Sequence, residues 1–215
     1  MDSPEQKIKI IITDDHAIFR TGVKISLSKK TDIDIIGEAE NGLALLDLLK
    51  HLEPDIIILN ISMPVMDGPT TLPVLKKKYP HIKVIILTMH NDSDMICNMI
   101  ELGASAYLTK ECGSEEIYKA VLACYKNWFF INDTVRNAFA AIGASQKIEV
   151  NNIVFTAKEV QIIKLLYTGK PVDEIATEVD LSPRTVTAII DKVKTKAGVK
   201  SIAGLFLFAE KEKMI

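Results

Sequence analysis

Along the first half of the chain, short unbroken apolar runs alternate with stretches whose apolar residues recur every three or four positions. The runs are "KIKIIIT" (Lys7–Thr13), "DIIGEA" (Asp34–Ala39), "IIIL" (Ile56–Leu59), "KVIILT" (Lys83–Thr88) and "AYLT" (Ala106–Thr109). Between the second and third lies "NGLALLDLLKHLEP", in which Leu45, Leu48, Leu49 and Leu52 fall on one helical face. A strand that is apolar at nearly every position is buried on both faces, so this alternation predicts a parallel sheet covered by helices on both sides. A further helix is predicted near Ser114 to Lys126, with Ser114 as its cap. The period then lapses. Residues 127–152 read as a linker, with one helix around Thr134–Ile142, between a first domain over 1–126 and a second over 153–215.

The last third predicts helices only. "TAKE" at Thr156–Glu159 is a capping box, in which Thr156 caps a backbone N–H and Glu159 reaches back. A second helix runs from about Pro171 to Val179. After the turn "DLSP", Ser182 caps a third, with Pro183 at the first helical position, where its missing N–H costs nothing. That helix reaches Ala197 and Gly198 stops it; a fourth holds Ile202, Leu205 and Phe206. Two short helices joined by a tight turn make a helix-turn-helix unit. In the fourth helix Leu207 and Phe208 add apolar area beyond a single stripe, part of which reads as core and part as a patch through which two copies pair.

Composition narrows the class. With 48% hydrophobic and 25% charged residues, the 215-residue chain is an ordinary soluble protein of one large or two average domains. No apolar run approaches the roughly 18 residues of a membrane span, and "MDSPEQKIK" has no signal-peptide core. Cys97, Cys112 and Cys124 form no CxxC pair, which argues for reduced thiols and a cytoplasmic setting. The net charge of −2 hides an asymmetry. Residues 1–126 carry 14 basic and 18 acidic side chains, a net of −4, and residues 153–215 carry 10 and 8, a net of +2. An acidic front and a mildly basic back suit a sensor joined to an anion-binding module.

Candidate chemistry gathers where the strands end. Ligands of a doubly wound sheet bind at the carboxyl ends of its strands. Here the first strand ends at Asp14-Asp15, the third at Asn60, the fourth at Thr88, and Lys110 follows the fifth. Adjacent carboxylates are oxygen ligands suited to Mg²⁺. A hydroxyl and an ammonium across from them are donors for a phosphoryl group. Taken singly, Asp14-Asp15 reads as a solvated turn, Thr88 as a strand end and Lys110 as a surface charge. Four such residues on one sheet edge read as a site.

The motifs "IITDDHAIFRTGV", "GEAENG", "PDIIILNISMPVMDG", "VIILTMH", "GASAYLTK" and "LSPRTV" give the chain a strong resemblance to the NarL/FixJ (LuxR-type) two-component response regulators over nearly its whole length. The resemblance implies a flavodoxin-like (βα)5 receiver domain followed by a four-helix helix-turn-helix domain, an α/β plus all-α architecture. It implies an aspartate at the end of the third strand that a sensor histidine kinase phosphorylates. Asp14, Asp15 and the Ser62 carbonyl would hold Mg²⁺, Thr88 and Lys110 would contact the phosphoryl group, and Tyr107 would be the switch aromatic. Tyr107 reads equally as a packing residue of the last strand.

Two departures stand out against that family. Asn60 occupies the phosphoacceptor position, and a carboxamide lacks the anionic oxygen that attacks phosphorus. A receiver that has ceased to use phosphate and an introduced substitution both account for it, whereas deamidation is disfavoured in an ordered strand end before Ile61. Mg²⁺ binding is expected to weaken with the loss of that charge. In the second domain, positions that are lysine and histidine in the family are Thr187 and Ile189, and a basic position of the preceding helix is Asp173. The inward stripe is Val186, Ile190, Val193 and Ala197, so Arg184, Ala188, Asp191, Lys192 and Thr195 face out, flanked by Thr187 and Lys194. The DNA-binding set is read as Thr156, Ser182, Arg184, Thr185, Val186, Thr187, Ala188, Asp191, Lys192 and Lys196.

The sequence therefore reads as a cytoplasmic, non-enzymatic DNA-binding response regulator controlling transcription. It would bind double-stranded DNA, as a homodimer at least on DNA, in a form that takes no phosphate at residue 60. The alternative is a phosphorylation-independent pseudo-receiver acting as a protein-interaction scaffold. An aspartyl phosphatase or phosphotransferase would need a second nucleophile beside Asp14-Asp15, and "TDDHA" supplies none.

Overall fold

A computed structural model of the chain describes residues 7–127, 129–145, 155–199 and 201–215. The apolar runs become five strands, β1 (Ile8–Thr13), β2 (Ile33–Ala39), β3 (Ile56–Leu59), β4 (Lys83–Thr88) and β5 (Ala106–Thr109). All pair in parallel, in the order β2-β1-β3-β4-β5. The helices between and after them are α1 (Ala17–Leu27), α2 (Gly42–Leu48), α3 (Gly68–Lys78), α4 (Ser93–Glu101) and α5 (Ser114–Asn127). Period-two alternation sorts the strand side chains between two layers. Ile56 and Ile58 pack with Val23 and Leu27 of α1 and Ile117 and Val121 of α5. Ile57 and Leu59 pack with Leu45 of α2, Leu72 and Leu75 of α3 and Ile96 and Ile100 of α4.

Local chemistry sets most helix starts. Asn41, Asp67 and Asp92 accept from the backbone N–H groups of Ala44, Thr70 and Met95, capping α2, α3 and α4. Ser114 is not the cap that the sequence predicts. It is the first residue of α5, and the Gly113 carbonyl accepts from Glu116 and Ile117.

The predicted linker contains α6 (Asp133–Ser145), longer than the expected helix. It is a packed element. Phe129, Ile131, Val135, Ala138 and Phe139 are all buried and join the layer of α4. The remainder of the predicted linker, 146–152, the start of the second predicted domain, 153–154, and residue 128 lie outside the described residues. Helices α7 (Ala157–Tyr167), α8 (Val172–Glu178), α9 (Pro183–Lys196) and α10 (Ile202–Lys211) follow. Gly198, at φ +67°, adopts the left-handed conformation that ends α9.

Most of the apolar surplus on α10 is covered within the chain, while Phe208 stays partly exposed. Leu205, Phe206, Leu207 and Ala209 are buried. Phe206 meets Phe129 edge-on at 5.5 Å and Tyr167 at 5.4 Å. The Tyr167 hydroxyl donates to Glu210 at 2.5 Å. One seam of α4, α6 and α10 thus joins the two halves. Among the described residues, no helix is long and apolar enough to cross a membrane. Burial pushes the Cys97 thiol up to about 12 and that of Cys112 up to about 11, so neither is a ready thiolate.

At the opposite edge of the sheet from the candidate site, Lys83 is buried and Lys76 half-buried. Desolvation, then the charge of Lys76, pushes the Lys83 ammonium down to about 7. Desolvation brings Lys76 down to about 8, with its Nζ donating to the Ile82 carbonyl at 2.9 Å. The unfolded chain holds both protons up to about 10.4, so the folded state binds fewer protons above neutrality and stability rises with pH over that window. Replacing Lys83 with methionine should flatten the rise, which is at most about 1.4 kcal/mol per pH unit for one group. Denaturant titrations of both proteins from neutral to mildly alkaline pH check this; parallel slopes would refute it.

Candidate functional site

The strand order reverses between β1 and its neighbours β2 and β3, and the crevice at that switch point is where the sheet presents its loops. Asp14 and Asp15 follow β1, Asn60 follows β3, Thr88 closes β4 and Lys110 follows β5. All five stand together on one edge. Asp14, Asn60 and Thr88 are buried, whereas Asp15 is partly open. Gly68, at the start of α3, presses against this edge. A Cβ there would lie 2.7 Å from the Asn60 carbonyl oxygen, so only glycine permits the approach.

Asn60 is the centre of the polar web. Its Nδ2 donates to the Ser62 carbonyl at 2.9 Å and to Asp15 Oδ1 at 3.1 Å, and lies 3.4 Å from Asp14 Oδ1. Its Oδ1 accepts from the Ile61 N–H at 2.9 Å. Lys110 reaches the other oxygen of Asp14 at 2.5 Å, with both side chains less than a tenth exposed, and its Nζ lies 4.4 Å over the Phe19 ring. The Thr88 hydroxyl accepts from the His90 N–H at 3.4 Å. Tyr107 is fully buried and donates to the His90 carbonyl at 3.0 Å; burial holds its phenol well above the usual range. In this conformation Tyr107 is a core residue with one polar anchor.

Three further residues belong to the web. His16 Nδ1 approaches Asp14 Oδ1 at 3.2 Å and Asp15 Oδ1 at 3.0 Å. Arg20 donates to the Asp14 carbonyl at 2.5 Å. His90 Nε2 meets the Ser62 hydroxyl at 2.8 Å. Sequence reasoning had a signal only for His16, which directly follows the acidic pair. Asp14, Asp15 and His16 bring one potential ligand atom each within 4.8 Å of one another. The arrangement offers oxygen donors to a cation and an ammonium to an anion. It offers no nucleophilic carboxylate at residue 60, because the amide nitrogen's lone pair is delocalised into its carbonyl.

The second candidate surface is α9. Ser182 caps it, accepting from the Thr185 N–H at 3.1 Å. Arg184, Thr185, Thr187, Ala188, Asp191, Lys192 and Thr195 are exposed on one flank. Val186 is wholly buried, so it supports the helix from inside and drops out of the nucleic-acid-facing set. Lys196 is turned away as well. Its Nζ donates to Glu159 at 2.7 and 2.9 Å, and Lys192 reaches the same carboxylate at 3.2 Å. Thr156 spends its hydroxyl on the Glu159 N–H and its own N–H on the Glu159 carboxylate. Burial pushes the Glu159 carboxyl up, but Lys196, the Thr156 N–H and Lys192 together outweigh it and hold it at about 2. Glu159 therefore ties α9 to the start of α7. The sequence disclosed only its capping role, because its lysine partners lie more than thirty residues away.

The sequence matches two family descriptions, the response regulator receiver domain over residues 10–122 and the luxR family of bacterial regulatory proteins over 146–209. The probable transcriptional regulatory protein NarL of Mycobacterium tuberculosis is 27% identical over 216 residues, covering 100% of both chains. The transcriptional regulatory protein YdfI of Bacillus subtilis is 32% identical over 194 residues, covering 90% of this chain and 91% of its own. RcsB of Salmonella enterica serovar Typhimurium, solved bound to the promoter rprA in the presence of phosphomimetic BeF3⁻, superposes with a TM-score of 0.60 at 26% identity. The match covers 96% of this chain and 100% of that one. A further RcsB structure, with a TM-score of 0.59 at 26% identity over 96% and 99% of the two chains, contains two dimers bound to two parallel DNAs.

Proposed function

From the premise that the chain belongs to the NarL/FixJ-type response regulators, we propose that it is a DNA-binding regulator of transcription whose receiver accepts no phosphoryl group at residue 60. The observation that carries this reading is Asn60, a carboxamide at the end of β3, where the family resemblance puts the acceptor aspartate, hydrogen-bonded to Asp14, Asp15 and Ser62 with Lys110 on the far side of Asp14. A sensor histidine kinase, the partner that family membership implies, has no carboxylate here to phosphorylate. The regulator then acts on a signal other than phosphate or at a fixed level.

Receiver domains hold Mg²⁺ with acidic residues, and the donor set fits that ion by type. Asp14 Oδ1, Asp15 Oδ1 and the Ser62 carbonyl converge on one point, and hard oxygens are what Mg²⁺ takes. Asp14, Asp15 and Ser62 would hold it, and its chemistry there would be to neutralise phosphoryl oxygens. Thr88 and Lys110 would contact the phosphoryl group itself, and Tyr107 would report the change to α4. With Asn60 uncharged, the ion is held weakly.

On α9, Arg184, Thr187, Ala188, Asp191 and Lys192 form the flank offered to the major groove, with Ser182 and Thr185 near phosphate. Ala188 suits a thymine methyl and Asp191 suits cytosine N4. The chain pairs on a symmetric site, a reading supported by its similarity to RcsB, which is solved as dimers bound to DNA. The scaffold reading draws support from the withdrawal of Lys196 to Glu159, which leaves the flank less basic. Selecting bound fragments from random and genomic DNA separates the two. Enrichment of a repeated half-site is expected, and none would favour the scaffold.

A double variant, Thr187→Lys with Asp191→Lys, tests the docking face. Asp191 pairs with Lys194 at 2.7 Å, so its replacement also frees a cation. Non-specific affinity should rise, and its dependence on salt should steepen by about 0.9 in log–log slope for each phosphate contact added. An unchanged slope in a filter-binding series would mean that this flank does not approach DNA.

A further inference from the structure

We propose that the Asn60 carboxamide is the resident occupant of the metal position, its Nδ2 bridging Asp14, Asp15 and Ser62 as a divalent cation would, so that the pocket is organised without Mg²⁺. The inference rests on the receiver reading above and adds the means by which the altered site keeps its shape.

The geometry is that of a donor in a cradle of acceptors. Ser62 O, Asp15 Oδ1 and Asp14 Oδ1 stand 2.9, 3.1 and 3.4 Å from Nδ2. The cradle is filled by Nδ2, which leaves an ion no room among the three oxygens until the amide moves. It is spaced for N–H groups, whose bonds to oxygen are about 2.9–3.0 Å long. The amide is also locked in this sense. Its Oδ1 is held by the Ile61 N–H, and reversing it would turn that oxygen onto two carboxylates and the NH2 group onto another donor. Asn60 is only 4% exposed, so pushing it aside would leave several buried polar atoms without partners.

Charge gives a second, independent reason. Two carboxylates side by side need compensation, which Mg²⁺ would otherwise provide. Lys110 meets Asp14 from the far side, and His16 Nδ1 touches the same two oxygens that Nδ2 faces. With the amide between them, Asp14 Oδ1 and Asp15 Oδ1 both face Nδ2, and Asp14 Oδ2 is taken by Lys110. A cation entering must displace Asn60 before it gains anything.

Occupation of the site by the amide and a mere shortage of charge lead to different outcomes. If Mg²⁺ binding is weak only because a third carboxylate is absent, Asn60→Ala should respond to Mg²⁺ no better than the unsubstituted protein. If the amide occupies the position, removing it opens the site. Thermal unfolding in EDTA and in millimolar MgCl2 should show no shift for the unsubstituted chain and an upward shift for both Asn60→Ala and Asn60→Asp. The Mg²⁺ affinity of Asn60→Ala should exceed that of the unsubstituted protein by about tenfold, the equivalent of one hydrogen bond no longer displaced. Equal responses of the unsubstituted chain and Asn60→Ala would overturn the proposal. Calorimetric titration of the unsubstituted chain needs no variant to fold, and saturation of its site by millimolar Mg²⁺ would also overturn the proposal. Phosphoryl uptake by the unsubstituted protein would instead break the reading of residue 60 as a dead acceptor and leave the metal result standing.

Discussion

Asn60→Asp is expected to turn a chain that takes up no phosphoryl group into one that gains a single group from a small acyl-phosphate donor. The substitution restores an anionic oxygen at the end of β3, where Lys110 stands across the pocket, paired with Asp14 at 2.5 Å. It also replaces a donor by an acceptor facing Asp15 Oδ1 at 3.1 Å and the Ser62 carbonyl at 2.9 Å, which sets three carboxylates in mutual repulsion. Uptake should therefore require Mg²⁺, which relieves that repulsion and neutralises the incoming oxygens. Lys110→Ala in the same background should weaken uptake, because it removes the opposing cation. Intact-mass measurement reads the outcome as the mass of one phosphoryl group. Labelling of the unsubstituted protein at another residue would sink the dead-acceptor reading. Failure of Asn60→Asp under Mg²⁺ would mean that the pocket departs from a working receiver at more than one residue.

Phe206→Ala should cost about 3–5 kcal/mol of stability, the range for deleting a large aromatic from a packed core. Phe206 is fully buried at the seam of α4, α6 and α10, edge-on to Phe129 and Tyr167. Truncation removes both ring contacts and leaves Leu207, now 5% exposed, with a looser neighbour on the same helix. Denaturant unfolding followed by tyrosine fluorescence reports the change, since Tyr167 lies in the seam. A loss below about 1 kcal/mol, the level of an average substitution, would show that the two halves are not packed through this residue.

Much of this protein is legible in short stretches of sequence, because the forces that write those stretches are short-ranged. The continuous apolar run at Ile56–Leu59 and its counterparts can be satisfied only with cover on both faces, so a doubly covered parallel sheet follows without coordinates. Thr156 with Glu159, and Ser182 before Pro183, mark helix starts through hydrogen bonds three residues long. The strand-end positions of Asp14, Asp15, Asn60, Thr88 and Lys110 likewise follow from where the apolar runs stop. What the sequence leaves undetermined is which distant group each of these side chains meets. The period of residues 127–145 is weak, so only packing against α4 reveals that Phe129, Val135 and Phe139 are core. Leu207 reads equally as core or as pairing patch until α10 is laid into the seam. Lys196 looks like a hand for DNA until Glu159, 37 residues earlier, takes it. The sense of the Asn60 amide is decided by Asp14 and Asp15, 46 and 45 residues away, together with the Ile61 N–H beside it. Propensity, period and capping act within a turn or two of the chain, whereas hydrogen-bond partners and burial among remote residues exist only once the strands are side by side.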